Sequence, residues 1–316
     1  MPSDPDERPD VLRRIELASC PDHRLAMVRF TRTPIAEWMS QRWWPTAASA
    51  AHADLMQSVG AAQMWWVSRD MQLLVEAATE SLPDFRLSQS DVPDPFGIVF
   101  YARPLAGIDA FSYLDDDLPL PEAQKMDGGL VINAMSWSAH SVRRDGSGVL
   151  TIWSWVYLID PQAKSGLRGW RPLGVSTWDL GARVTEVRED YSEQHQQSVI
   201  EDRRRLAALW LLAAQESVAA ASTERVDRPA AKRHVRAGFE VPTMRVLRLR
   251  HKRNPQQGET AAEVREWTHR WVVSGHWRNQ WLPSEDRHRP TWIAPYVKGP
   301  DDKPLVLKES VKALVR

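Results

Sequence analysis

The stretch Val149–Leu158 is the strongest single constraint on how this chain can fold. In an extended strand, successive side chains point to opposite faces. Leu150, Ile152, Val156 and Leu158 then share one face, and Trp153, Trp155 and Tyr157 share the other. A strand that is apolar on both faces needs cover on both sides. The stretch is therefore predicted as a central strand. Leu130–Trp137 is predicted as a second strand. The link between them, Arg144-Asp145-Gly146-Ser147-Gly148, reads as a hairpin turn because glycine tolerates positive φ. Ile98–Tyr101 is a further short strand, and Gly174–Trp178 and Arg183–Val187 extend the sheet.

The covering layers come from helical patterns. Pro34–Glu80 reads as two or three helices interrupted at Pro45 and Gly60, with apolar stripes at Ala50, Leu55, Met56, Val59 and at Met64, Leu73, Leu74, Ala77. Gln196–Ser222 is the clearest helix. Its middle, Leu206–Ala214, is apolar around much of its circumference, the mark of a buried helix. Ile15–Arg32 reads as a short helix followed by a strand at Leu25–Phe30. A second, basic helix is predicted from an Asp227 N-cap through Pro229 to a stop at Gly238, decorated by Lys232, Arg233, His234 and Arg236. Beyond Pro242 the pattern returns to strands at Met244–Arg250, Glu266–Arg278, Thr291–Val297 and Leu305–Leu307. The fold class predicted is α+β: a helical N-terminal part, a central antiparallel or mixed sheet, a long buried helix and a small C-terminal basic β unit. The corresponding division is a disordered tail over 1–10, an α+β core domain over 11–225, and a basic, aromatic-rich β unit over 226–316 packed on that core.

Composition narrows the class. With 316 residues, 43% of them apolar and 26% charged, the chain can bury a sizeable core and is not a disordered polymer. The longest apolar run, Leu206–Ala214, is less than half a membrane span, so no membrane partner is expected. Met1–Asp10 is acidic and proline-bearing, without the basic flank and apolar stretch of a secretory signal. The single Cys20 excludes an intramolecular disulfide and a cysteine-based zinc cluster, and a cytoplasmic location is the default expectation. Net charge is zero but uneven. Residues 1–200 carry 18 Lys/Arg against 27 Asp/Glu, a net of −9, and residues 201–316 carry 23 against 14, a net of +9. A basic C-terminal third attracts an anionic partner or the acidic remainder of the chain itself.

The segment from Arg245 to Pro300 carries the most chemistry. Five of the 16 tryptophans fall between Trp267 and Trp292, repeatedly beside Arg or His. On one regular strand Trp267, His269, Trp271 and Val273 would face one way. Thr268, Arg270, Val272, Ser274, His276 and Arg278 would face the other, a row of donors about 7 Å apart. Gly275 is an alternative break, a bulge that turns His276 to the tryptophan face. The candidate nucleic-acid contacts are Arg245, Arg248, Arg250, Arg270, His276, Arg278, Arg287, Arg289 and Lys298, with Trp277 and Trp281 as stacking rings. Packing of a small sheet by Trp–Arg stacking is the bland alternative. A second reading is a metal-independent ribonuclease centred on His269 or His276, with Arg278 stabilising the developing phosphorane charge. A third is a protein–protein surface, since Trp and Arg are also hot-spot residues. His251, His269, His276 and His288 lack zinc spacing, so no metal and no cofactor are expected. Asp115-Asp116-Asp117 reads as a solvated acidic loop rather than a magnesium site. No P-loop or GxSxG elbow occurs in the chain.

Gly275-His276-Trp277-Arg278-Asn279-Gln280-Trp281 together with Trp292-Ile293-Ala294-Pro295-Tyr296-Val297-Lys298-Gly299-Pro300 resembles a motif of an uncharacterised family associated with actinobacterial phages, plasmids and chromosomes. An arginine usually precedes the Gly-His-Trp-Arg core in that family, where this chain has Ser274. The resemblance carries no assigned activity. It implies a mobile-element context, and with it a nucleic-acid-binding accessory protein of a mobile-element or host-defence system as the leading expectation.

Overall fold

Gly148–Leu158 forms β4 of a seven-stranded mixed sheet, in a computed structural model that describes residues 15–43, 48–108, 130–142, 148–158, 169–187, 192–250, 270–298 and 305–306. Its neighbours are β3 (Leu130–Val142) and β5 (Gly169–Asp179), both antiparallel to it. β2 (Phe96–Ile108) continues the sheet antiparallel to β3. Then come β1 (Gln63–Val67), parallel to β2, β7 (Thr243–Leu249), parallel to β1, and finally the edge strand β6 (Ala219–Arg225), antiparallel to β7. The order across the sheet is β5-β4-β3-β2-β1-β7-β6.

The two faces of β4 divide as its alternation predicts. Leu150, Ile152 and Val156 lie in one core cluster. Trp153 and Trp155 lie in the other, against which Tyr157 packs. The first layer is made by α4 (Arg69–Glu80) and α5 (Glu193–Ala213). Ser68 caps α4 by accepting from the Met71 amide, and the helix buries Met71, Val75 and Ala78. Ser192 caps α5 in the same way, and the apolar run Leu206–Leu212 is wholly buried beneath it. The second layer contains α1 (Cys20–Thr31), α2 (Pro34–Trp43) and α3 (Ala48–Gly60). The short amphipathic α6 (Arg228–Arg236) packs on α1 from the same side. The chain is α+β, and among the described residues no helix is long and apolar enough to cross a membrane.

Several sequence expectations need correction. Leu25–Phe30 is part of α1, not a strand. Its apolar residues Leu25, Met27, Val28 and Phe30 fit either period, and Pro21 at the first turn sets the helix. β1 interrupts the predicted helical block. Helix 196–222 ends at Ala213, because Ala219–Ala221 pair with Leu247–Leu249 in the sheet despite their helix propensity. Arg183–Val187 is not a strand; an isolated bridge joins Arg183 to Arg86. The boundary at 226 also falls inside the sheet, since β7 is inserted between β1 and β6. Among the described residues, what stands apart from this sheet is a three-stranded sheet of β8 (Arg270–Val273), β11 (Tyr296–Lys298) and β12 (Leu305–Val306), and a hairpin of β9 (His276–Leu282) and β10 (Arg287–Ile293). The tail 1–10, Asp115–Asp117, the turn 143–147, His251 and His269 lie outside the described residues.

Tryptophan supplies much of the interior. Trp65, Trp137, Trp153, Trp155, Trp170, Trp178 and Trp210 are almost fully buried. Several place their indole N–H on a defined acceptor: Trp65 on Asp94, Trp137 on the Asp94 carbonyl, Trp155 on Ser136 and Trp170 on His23.

Candidate functional site

The β9–β10 hairpin packs against α5 through β10 and is fixed at both ends, to α4 at one and to the 3₁₀ turn Gln89–Asp91 at the other. At the open end, the Trp277 indole donates to the Ala78 carbonyl at the end of α4 (2.8 Å), and Trp277 meets Trp292 edge-on with centroids 5.2 Å apart. Trp292 is buried in the core shared with α5. Gly275 permits this fit: a Cβ there would stand 2.4 Å from Trp292 Cζ2 and 3.1 Å from Pro295 Cδ. The same glycine separates β8 from β9. The predicted single strand 266–278 is thus broken there, because the two halves pair in different sheets.

At the turn end, Arg287 donates from Nη1 and Nη2 to the two carboxylate oxygens of Asp91, each at 2.9 Å. Arg289 Nε stands 3.1 Å from the same carboxylate. Asp91 also accepts from the Ser88 amide in a capping box around the 3₁₀ turn Gln89–Asp91. Glu285 bridges Arg287 and Ser90. Burial pulls the Arg287 guanidinium down, but its hydrogen bonds to Asp91 and Glu285 outweigh this and hold it above its ordinary value. The hydrogen bonds from Arg287 and Ser90 hold the Glu285 carboxyl below the usual range.

A two-stranded ribbon twists strongly, and the exposure of β9 follows that twist. His276 and Arg278 are exposed on even positions, then Asn279 and Trp281 on odd ones. The phase changes where the body-facing side passes from Trp277 and Trp292 to Arg287 and Arg289. The outward surface is one strip: His276, Arg278, Asn279 and Trp281, with exposed His288 opposite Trp281. Trp281 is 42% exposed, and its ring lies 4.9 Å from that of His288 at a 59° tilt. Arg278 donates to the neutral side chain of Gln280, and His276 bonds the Ser274 carbonyl. None of these five residues is acidic; the exposed Glu285 and Asp286 of the turn lie just beyond the Trp281–His288 end.

The remaining candidates are dispersed. Arg245 stacks over Trp65 (4.5 Å) and reaches Asp94 (3.5 Å), so it serves the interior edge of the sheet. Arg248 pairs with Glu224 across β6–β7. Arg250 is exposed just beyond β7. Arg270 and Lys298 belong to β8 and β11, which pair in the three-stranded sheet and not with β9 or β10. Among the described residues no group of His, Cys, Asp and Glu is arranged to hold a metal ion.

Two polar features were not read from the sequence. A cleft of about 650 Å³ opens at the N-terminal ends of β1, β2 and β7, lined by Arg24, Gln63, Asp94, Phe96, Phe239 and Glu240. Arg24, lowered to about 10 by burial, caps the α3 carbonyls of Val59 (3.1 Å) and Gly60. Its charge is thereby committed to the helix C-terminus. Beneath α5, Ser154 and Arg205 both donate to Asp202 (2.8 and 3.2 Å), beside the buried Tyr101. Burial raises the Asp202 carboxyl against the opposing pull of Arg205 and Ser154. Ser154 and Tyr101 are sealed from solvent, which suits a core fastening rather than a reaction site.

No protein-family model matches the chain, and no curated protein matches it. The crystal structure of AcrVA2 is similar over 89% of this chain and 94% of that chain, at 14% identity and a TM-score of 0.37, a likeness too distant to bear on function.

Proposed function

We propose that this chain is a nucleic-acid-binding accessory protein whose contacts run along the outward strip of the β9–β10 hairpin. The observation that carries the reading is the pairing, on one outward strip, of an exposed stacking ring, Trp281, with an arginine, Arg278, whose described partner is neutral. Such a pair supplies base stacking and phosphate neutralisation together. The C-terminal motif supports the wider context of a mobile-element or host-defence system.

Among the described residues the hairpin does not bring two histidines to one phosphate, which favours binding over cleavage by this strip. His276 and the Trp281–His288 pair are five strand positions apart, about 17 Å. Two histidines sharing one phosphate in acid–base catalysis must both stand within hydrogen-bond reach of it. Titration of labelled DNA and RNA, single- and double-stranded, at low salt tests the proposal. Arg278→Gln should weaken binding severalfold and make the salt dependence shallower, by roughly 0.7–0.9 log units per log unit of salt for the lost phosphate contact. Absence of binding to every form at low salt refutes it.

A further inference from the structure

Resting on the nucleic-acid reading, we infer that the strip takes single-stranded nucleic acid, with one unstacked base laid on Trp281, and does not read a duplex. Three observations lead there.

The first is the inventory of positive charge. Duplex binding draws on many phosphate contacts, yet most arginines near the hairpin and β7 are already neutralised within the fold. Arg287 and Arg289 share Asp91, Arg248 pairs with Glu224, and Arg245 with Asp94. Among the described residues, what faces outward on the strip is Arg278 with His276, fewer cations than the many phosphate contacts of a duplex site.

The second is the posture of the ribbon. A β-ribbon reads a duplex by entering the major groove, about 12 Å wide. This ribbon is fixed to the body at both ends, by Trp277 and Trp292 at one and by Asp91 at the other. Entering a groove would require breaking these contacts.

The third is the stacking platform. Trp281 and His288 present their rings at the turn end of the strip. A duplex base has both faces occupied by its neighbours, whereas a single-stranded base has a face to give. Along about 17 Å of strand, the strip matches a few extended nucleotides, with phosphates near His276 and Arg278 and a base at Trp281. Stacking does not distinguish DNA from RNA, so the shared chemistry is a flexible single strand.

Fluorescence anisotropy of the full chain with labelled oligothymidylate, oligouridylate and a duplex decides the matter. At least one single strand should bind about tenfold or more tightly than the duplex. Trp281→Ala should weaken that binding roughly five- to hundredfold, and Trp281→Phe should retain most of it. Trp281 is a surface residue, and far-ultraviolet circular dichroism verifies that both variants fold. Equal or tighter duplex binding overturns the inference and leaves the nucleic-acid reading standing. So does single-strand binding that Arg278→Gln weakens and Trp281→Ala does not. Failure of all three probes to bind overturns both.

Discussion

Replacing Asp91 with asparagine should detach the hairpin without unfolding the sheet. The Asp91 side chain is 1% exposed and receives both nitrogens of the Arg287 fork, Arg289 Nε and the Ser88 amide. Asparagine preserves the shape, but it places an amide N–H₂ against guanidinium donors and leaves two arginines without a counter-charge. Breaking a fully buried ion pair costs about 3–5 kcal/mol. Arg287 and Arg289 are 19% and 25% exposed, so water recovers part of the loss and about 2–4 kcal/mol is expected. The hairpin contributes Trp277 and Trp292 to the core but no strand to the seven-stranded sheet, so the loss should appear as local opening. Amide hydrogen exchange is the assay. Protection in β9 and β10 should fall roughly a hundredfold, while β3, β4 and α5 keep theirs. Adding Arg287→Gln and Arg289→Gln should return part of the protection by removing the orphaned cations. If Asp91→Asn leaves hairpin exchange within a factor of two of the parent, the electrostatic account of docking is wrong.

Three further perturbations follow from named contacts. Gly275→Ala places a Cβ against Trp292 and Pro295 and should loosen the same hairpin by about 1–3 kcal/mol, read as faster exchange in β9–β10 alone. Gly97→Ala drives a Cβ into Trp137, inside the edge-to-face Trp65–Trp137–Trp210 cluster, and should lower global stability by about 3 kcal/mol in urea unfolding; a loss under 1 kcal/mol would contradict the packing. Burial lowers His23 from 6.5 to about 4, against the opposing pull of Asp22. The unfolded chain therefore takes up this proton before the folded one does. The stability tied to neutral His23 is complete above about pH 6.5 and is lost as pH falls towards 4, by at most about 3 kcal/mol. Because the Trp170 indole donates to His23 Nδ1, His23→Gln should flatten that part of the pH–stability curve, and an unchanged curve would refute the assignment.

The sequence exposed what repeats and hid what depends on distant partners. β4 was legible because ten alternating positions all obey one period and both faces are apolar. β1 was not, because its five residues lie between two helices. Its markers, the stop at Gly60 and the N-cap at Ser68, bracket an apolar run too short to show a period. β6 carries an alanine-rich helix-like sequence overridden by its pairing with β7. In the candidate site, the basic and aromatic character of β9–β10 was plain, and so was a possible break at Gly275. The division of labour among its arginines was not. Arg287 and Asp91 are 196 positions apart, and no local pattern announces that one neutralises the other. A row of donors in the sequence thus becomes, in three dimensions, a docking clamp on one side and a narrow outward strip on the other.

The placement of β7 has a consequence for how the molecule is made. β1 is flanked by β2 and β7, and β7 lies some 180 positions further along the chain. Until Thr243–Leu249 has been synthesised, Met64–Val67 waits with one bonding edge open. Closure of the sheet is therefore a late, long-range event that follows most of translation, the kind of contact that slows folding and leaves an edge open to wrong partners in the interval. A nascent chain stalled before β7 should be held by chaperones, and one released after it should not.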